Sequence, residues 1–280
     1  MAIDLKAALD KQVVVNGLRL HYLDWGNAGA QTMLLLHGYT SHAHSWDFFA
    51  SALKGSYHII ALDQRGHGDS DWPKDGYAHG SFVGDVAGVV AALDLRRFIL
   101  VGLSMGGLNA MGYLAQDTSR VAGVVIVDIG PEIMTLGAGR IRAAQTARPD
   151  SFASQEEGFQ YLWSLGGFRN EEMLRHRTYH GLREGPDGRW RWKMDPSLNT
   201  WTPTVPDLWP ALARIPCPTL IVRGAESDIL APEVAERMVR TLPKGTLVTI
   251  PDSGHPVPAE QPAAFERAVR QFLGLQKIPG

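Results

Sequence analysis

FILVGLSMGGLNAMGYLAQ, residues 98–116, changes its periodicity in the middle. An apolar run, FILV, gives way to Gly102, Gly106 and Gly107 crowded around Ser104. Met105, Leu108, Met111 and Ala115 then recur on overlapping faces of a helix. Small residues on both sides of one serine suit a sharp strand-to-helix turn, in which the helix passes close to the strand and the serine is pushed into an exposed, strained position. A helix N-cap would account for a serine at this boundary, but it leaves the three glycines unexplained. GLSMG, residues 102–106, fits the G-x-S-x-G pattern in the strand-then-helix context that the pattern requires. Ser104 therefore reads as a nucleophile.

Outward from this turn, the chain alternates strand and helix. Short Val-, Ile- and Leu-rich runs bounded by turn residues occur at VVVNG, LRLHYLDWG, TMLLLHG, YHIIALD, FILVGLS, VVIVDIG, TLIVRG and TLVTIP. Their lack of polar alternation suits strands covered on both faces by helices, as in a parallel sheet. The first two, joined by Asn16-Gly17, read as an antiparallel hairpin at the sheet edge. Helical spacing falls at residues 46–53, 81–93, 104–116, 232–242 and 259–273. This pattern predicts an α/β fold with a mostly parallel, doubly wound sheet of about eight strands.

One interval breaks the rhythm. Between Gly130 and Thr219 lies far more chain than a crossover helix needs, and it carries Phe152, Phe159, Tyr161, Trp163, Phe168, Tyr179, Trp190, Trp192 and Trp201. So aromatic a segment predicts a packed helical cap inserted after the sixth strand, over 131–205, on a core domain of 1–130 and 206–280.

Composition narrows the partners. With 27 basic and 29 acidic residues the formal net charge is −2, so no global field draws the chain to nucleic acid or an anionic membrane. One cysteine, Cys217, excludes an intrachain disulfide and reads as a core residue. The first dozen residues, MAIDLKAALDKQ, hold no apolar run of leader or membrane-span length, so a cytoplasmic location is expected.

A serine hydroxyl needs a base to take its proton, and the base needs a third group to orient it. His255 follows the last predicted strand in DSGHPVPAEQP, where neither packing periodicity nor capping calls for a histidine. It comes late in the chain, as the order Ser, Asp, His demands. For the acid, Glu226 and Asp228 follow TLIVRG, and Asp128 lies in VVIVDIG. Asp228 is preferred, because Ile229 and Leu230 can anchor its loop and because Asp128, ahead of Gly130-Pro131, has a competing use in a turn. The oxyanion of an acyl-transfer intermediate would be met by the backbone amides of Met105, at a helix start, and Tyr39, in the loop LLLHGYTSHAHSW. His37 is expected to shape that loop.

These residues fall within HGYT at 37, DQRGHGDS at 63, GLSMGG at 102, RGAESD at 223 and SGHPVPAEQP at 253. Together they resemble the landmark motifs of the α/β-hydrolase superfamily, in its capped, single-domain bacterial branch, from about residue 20 to the end apart from the cap. The resemblance implies Ser104 as nucleophile, His255 as base, Asp228 as acid, and the Tyr39 and Met105 amides as the oxyanion hole. It also implies that the 63–70 segment, His67 included, is a structural turn. The expected activity is that of a carboxylesterase-like serine hydrolase on a small, largely apolar ester, with Trp163 and Trp201 lining the pocket. No metal or cofactor is called for, and no nucleic-acid or membrane partner; a monomer or a homodimer would serve. Lactonases, cofactor-free perhydrolases and carbon–carbon bond hydrolases share the triad. A ligand-sensing receptor on a hydrolase fold is the alternative of a different class. Arg140, Arg142, Arg175 and Arg177 are available in the cap for an anionic substrate, although a solvated helix face also accounts for them.

Overall fold

Asn16 and Gly17 both adopt positive φ, 51° and 78°, the pair of conformations that a tight two-residue hairpin requires. They join β1 (Leu9–Val15) to β2 (Leu18–Asp24), which pair antiparallel. The computed structural model describes residues 8–274 except 167, 203 and 205. Residues 1–7, part of the stretch on which the absence of a leader was read, and Val205, the expected end of the cap, lie outside the described residues.

The remaining strands of the main sheet are β3 (Thr32–Leu36), β4 (His58–Leu62), β5 (Phe98–Leu103), β6 (Val121–Val127), β9 (Thr219–Gly224) and β10 (Gly245–Ile250). A short hairpin, β7 (Leu182–Glu184) with β8 (Trp190–Trp192), stands apart. The eight-stranded sheet has the order β1-β2-β4-β3-β5-β6-β9-β10 and is parallel from β4 onward. Each central strand is apolar throughout because successive side chains feed two different cores. Leu34, Leu36, Leu100, Val124 and Ile126 enter one core, while Met33, Leu35, Ile99, Val101, Val125 and Val127 enter the other.

Helices α1 (Asp47–Leu53), α2 (His79–Ala92), α3 (Met105–Gln116), α7 (Trp209–Leu212), α8 (Pro232–Thr241), α9 (Val257–Glu260) and α10 (Pro262–Phe272) belong with the sheet. The single helix expected over 259–273 is broken at Gln261, whose φ of −130° and ψ of 60° leave the helical region. Pro262 disfavours helical backbone in the residue before it, which places the break there.

Between β6 and β9 the insertion holds α4 (Thr135–Thr146), α5 (Gln155–Ser164), α6 (Glu171–Gly181), the β7–β8 hairpin and a 3-10 turn, Pro196–Thr200. It is thus not purely helical. The alternation in GRWRWKM is a strand period of two, and Trp190 bridges back to Phe152.

The 63–70 turn is a buried frame. Asp63, fully buried, accepts from the amides of Ala43 (2.6 Å) and Asp69 (2.9 Å) and from His21 Nδ1 (2.7 Å). Burial alone would raise its pKa; the hydrogen bond and charge of His21 more than offset that and hold the carboxyl well below its usual range. Burial likewise opposes the His21 cation, and Asp63 reverses the sign, so His21 is raised. The Asp63 contribution is therefore lost as pH falls below the ordinary carboxylate pKa, and that of His21 is lost as pH rises above the ordinary imidazole value. Both act in full only between about pH 4 and 6.5. Asp63→Ala strands two buried amide donors and His21, and should cost about 3–5 kcal/mol in urea unfolding. A loss below 1 kcal/mol would mean that the frame is carried elsewhere.

Candidate active site

Ser104 sits between β5 and α3 with φ 53° and ψ −120°, a conformation that a non-glycine residue adopts at a cost of order 1–3 kcal/mol. The surrounding packing enforces it. Ser104 donates its amide to Val127 O on the neighbouring strand (3.0 Å), and its carbonyl accepts from Gly107 and Leu108 at 2.8 and 3.0 Å. Glycine is required next to it for close approach: a Cβ on Gly102 would lie 2.4 Å from Gly106 O, and one on Gly106 2.3 Å from Leu36 O. The hydroxyl makes no cap bond to α3, although Ser104 occupies the N-cap position. It lies instead 2.9 Å from His255 Nε2.

His255 follows β10 in a loop drawn across the end of β9. The Gly254 carbonyl packs where a Cβ on Gly224 would be (2.0 Å), and the Gly254 amide donates to Glu260 Oε2 at 2.6 Å. The loop so fixed turns His255 Nδ1 toward a carboxylate, and that carboxylate is Asp128 Oδ2, at 2.8 Å. Asp128 is fully buried and also accepts from the Gly224 amide (2.9 Å) and from Ser227 Oγ.

The expectation for Asp228 is corrected here. Its carboxylate is engaged by Arg140 of α4 in a two-point pair, Nε at 2.8 Å and Nη2 at 3.0 Å. The hydrogen bonds from Arg140 hold its carboxyl below the usual value. The physical reason is strand order. β6 is the immediate neighbour of β5, so Asp128 just past its end lies beside Ser104, whereas Asp228 is four residues beyond β9, one strand further away. Glu226 pairs with Arg169.

The loop after β3 approaches Ser104 from the other side. A Cβ on Gly38 would be 3.3 Å from Ser104 Cβ, which puts the next residue, Tyr39, at the site. Met105 is the first residue of α3, so its amide has no partner within the helix. His37 is buried and neutral, with burial pushing its pKa down; its Nε2 accepts from the Gln64 amide (3.0 Å), which leaves Nδ1 to donate to Gly38 O (2.8 Å). His37 thus shapes the loop, as expected, and His67 is held in the buried frame, pushed by burial to about 3.

Trp201 packs on Tyr39 (ring centroids 5.4 Å) and Phe82 (5.8 Å), in an apolar cluster that includes Met105, Met194 and Leu198. Trp163 is placed otherwise: it is 40% exposed and stacks on Phe159 at 6.0 Å, outside that cluster. Phe159 and Gly158 are the residues that α5 buries.

Among the described residues two arginines of the insertion, Arg148 and Arg177, are half-buried without pairing with an acid, whereas the other unpaired ones, Arg142, Arg183 and Arg189, are exposed. Arg177, on α6, donates to Thr40 O (3.0 Å) and Thr40 Oγ1 (3.2 Å), next to Tyr39. Arg148 lies over the Trp192 ring at 3.7 Å, with Nη1 3.4 Å from Met194 Sδ. It lines a cavity of about 360 Å³ whose other walls include Trp72, Asp150, Arg183, Arg191, Trp192 and Met194. Among the described residues neither makes an ion pair with a carboxylate. Burial pushes both down, Arg148 to about 9, with Arg177 adding to the effect, and Arg177 to about 10. Arg140 and Arg175, by contrast, are paired with acids. Arg148 was missed in the sequence because it lies beyond the helical run of α4, in ARPD, with nothing to mark it as packed against Trp192.

A family model described as the alpha/beta hydrolase family matches residues 33–268. The chain belongs to that family. This alpha/beta hydrolase is 32% identical over 274 residues to a 3-hydroxybutyrate-oligomer hydrolase of Cupriavidus necator, spanning 91% of this chain and 93% of the relative. It is 28% identical over 278 residues to a 2-(acetamidomethylene)succinate hydrolase of Mesorhizobium japonicum, covering 98% and 99% of the two chains. A solved structure of E-2-(acetamidomethylene)succinate hydrolase superposes with a TM-score of 0.88 at 27% identity, covering 95% of this chain and 99% of the other. Among the described residues no helix of the hydrolase is long and apolar enough to cross a membrane.

Proposed function

We propose that this alpha/beta hydrolase cleaves a carboxylic ester through an acyl-enzyme on Ser104, and that its substrate joins an apolar body to a carboxylate. The observation that carries the reading is the continuous relay from Ser104 Oγ through His255 to Asp128. In the first half-reaction Ser104 Oγ attacks the ester carbonyl while its proton passes to His255 Nε2. The resulting oxyanion accepts hydrogen bonds from the Tyr39 and Met105 amides, donors that need no rearrangement. Collapse breaks the bond to the alcohol, which leaves with the proton from His255. Water then attacks the acyl-enzyme, again giving its proton to His255, and the acid departs as Ser104 recovers its hydrogen. Asp128 holds His255 with its proton on Nδ1 throughout.

The insertion acts as the cap in this reading, and it sets the substrate. Trp201, Phe82, Leu198 and Met105 supply an apolar wall. Arg148 and Arg177 supply positive charge that, among the described residues, no carboxylate pairs with, and a half-buried charge so placed is open to a carboxylate of the ligand. The names of two relatives, a hydroxybutyrate oligomer hydrolase and a succinate-derivative hydrolase, are those of enzymes acting on carboxylated molecules. A carbon–carbon bond hydrolase acting on an anionic diketone is the second reading, favoured by the same two arginines.

The test compares p-nitrophenyl hexanoate with the mono-p-nitrophenyl ester of adipic acid, alongside a carboxylated vinylogous diketone. The adipate ester should be preferred at least tenfold in kcat/KM, roughly the scale of one charge-assisted hydrogen bond. Arg177→Gln should erase the preference while leaving the hexanoate rate within about threefold. Equal rates on both esters would return the site to a purely apolar substrate, and turnover of the diketone alone would establish the second reading.

A further inference from the structure

Away from the site just described, α6 carries His176 and His180 one turn apart, so both imidazoles leave the same helix face. That face meets the chain after β3. His44 lies there in a 3-10 turn, Ala43–Trp46, and Asp47 is the first residue of α1. Asp47 Oδ2 is 2.8 Å from His44 Nδ1 and 2.9 Å from His176 Nε2. The His44 and His180 rings stack at 3.8 Å between centroids, and His176 and His180 are 4.5 Å apart. One ligand atom from each of the four residues lies within 4.8 Å of all the others.

We infer that His44, Asp47, His176 and His180 form a binding site for a divalent transition-metal ion, which pins α6 of the insertion to the core. Three imidazoles and one carboxylate are a ligand set for zinc, cobalt or nickel rather than for calcium or magnesium, which take oxygen ligands. Bonds of about 2.0–2.1 Å in a tetrahedron place ligand atoms roughly 3.3 Å apart. The two nitrogens now bonded to Asp47 would retreat by roughly half an ångström, and the His180 ring would have to rotate out of its stack on His44 to turn a nitrogen toward the ion; both are side-chain adjustments. A second, independent observation points the same way. Asp47 is 1% exposed, yet its other oxygen, Oδ1, is buried without a partner. An unpaired carboxylate oxygen in that position is expensive, and a cation beside it would offset the cost.

The sequence offers His176 and His180 at a ligand-pair spacing, but the other two ligands are far from them, His176 being 129 positions from Asp47, so nothing local joins the two halves. The site holds none of the groups assigned to ester cleavage, so its role is to fix the insertion. His176 is nevertheless the neighbour of Arg177, and an ion at His176 and His180 would hold α6 in the register that sets Arg177 on Thr40.

The test uses the whole chain, stripped with a chelator and dialysed, and titrates Co²⁺ while the visible absorption of four-coordinate cobalt is followed. One ion per chain should bind with micromolar or tighter affinity, and Zn²⁺ should displace it. At a hundredfold excess over Kd, Zn²⁺ should raise Tm by roughly 5 °C or more. His180→Gln and His44→Gln should each weaken binding at least tenfold, whereas His255→Ala, which removes a half-buried histidine outside the cluster, and Asp69→Asn, which removes the exposed carboxylate of the His21, Asp63 and Asp69 group, should leave the cobalt spectrum intact. If either glutamine variant fails to fold, Asp47→Asn serves the same purpose. Absence of the four-coordinate spectrum at millimolar Co²⁺, or a spectrum lost in His255→Ala and kept in His180→Gln, would overturn the inference and leave the cluster as a hydrogen-bonded contact.

Discussion

Asp128→Asn should lower kcat on the preferred ester by about 10⁴, whereas Asp228→Asn, assayed in parallel, should stay within about tenfold of the parent. The argument rests on tautomers. Asp128 accepts from His255 Nδ1, which leaves Nε2 free to take the Ser104 proton. An asparagine amide at 128 would donate toward Nδ1, forcing the imidazole proton onto Nε2, where it points at Ser104 and blocks proton uptake. The fold should survive, because the asparagine oxygen can still accept from the Gly224 amide at the position of Oδ1, 2.9 Å away in the parent. Asp228→Asn loosens only a partly exposed pair with Arg140, and such pairs contribute little. Thermal unfolding of both variants checks that the losses are not global. Near-normal activity of Asp128→Asn beside a collapse of Asp228→Asn would restore the carboxylate preferred from the sequence.

That preference failed for an instructive reason. Ser104 and His255 were legible because each is marked locally: Ser104 by bare glycines at a period change, and His255 by its place after the last strand. The acid carries no such mark, since three carboxylates follow strands and the choice among them depends on which strand lies next to β5. Sheet order is a long-range property, set by pairings such as Leu103 with Val127, and nothing within VVIVDIG announces it. The turn reading of Asp128 was also half right. It does hold a positive φ, 51°, and its carboxylate does accept a backbone amide, but these same features aim its second oxygen at His255.

The fold itself was readable because a parallel sheet buried on both faces needs runs of Val, Ile and Leu whichever way it is wound. The presence of an insertion was readable from its length and aromatic content, but its internal arrangement was not, because its residues answer to partners far away in the chain. Trp163 and Trp201 look alike in sequence. One is half outside on α5 and the other meets Tyr39, a difference decided by where α5 and the 3-10 turn at Pro196–Thr200 come to rest. The same holds for the arginines. Arg175 finds Glu156 and Glu171 within the insertion, while Arg177, two residues on, projects to Thr40 of the core and pairs with no acid among the described residues. Charge balance over the insertion as a whole conceals that separation.

Ser104→Ala should reduce kcat by about 10³–10⁶ and abolish stoichiometric labelling by a serine-directed phosphonate, which in the parent should modify Ser104 once per chain. Residual turnover would come from the oxyanion donors and binding alone. Alanine keeps the Cβ and therefore the strained φ of 53°, so its stability should stay close to that of the parent, less the hydrogen bond to His255. Ser104→Gly should be equally inactive but more stable than Ser104→Ala by about 1 kcal/mol, because glycine adopts positive φ without the Cβ clash. Comparing the two variants thus separates the nucleophile from the turn that presents it. If both lose activity and glycine alone gains stability, strain at Ser104 is maintained for chemistry. Labelling that persists in Ser104→Ala would move the nucleophile elsewhere, and equal stabilities would mean that β5, α3 and the Val127 carbonyl hold the turn at no cost.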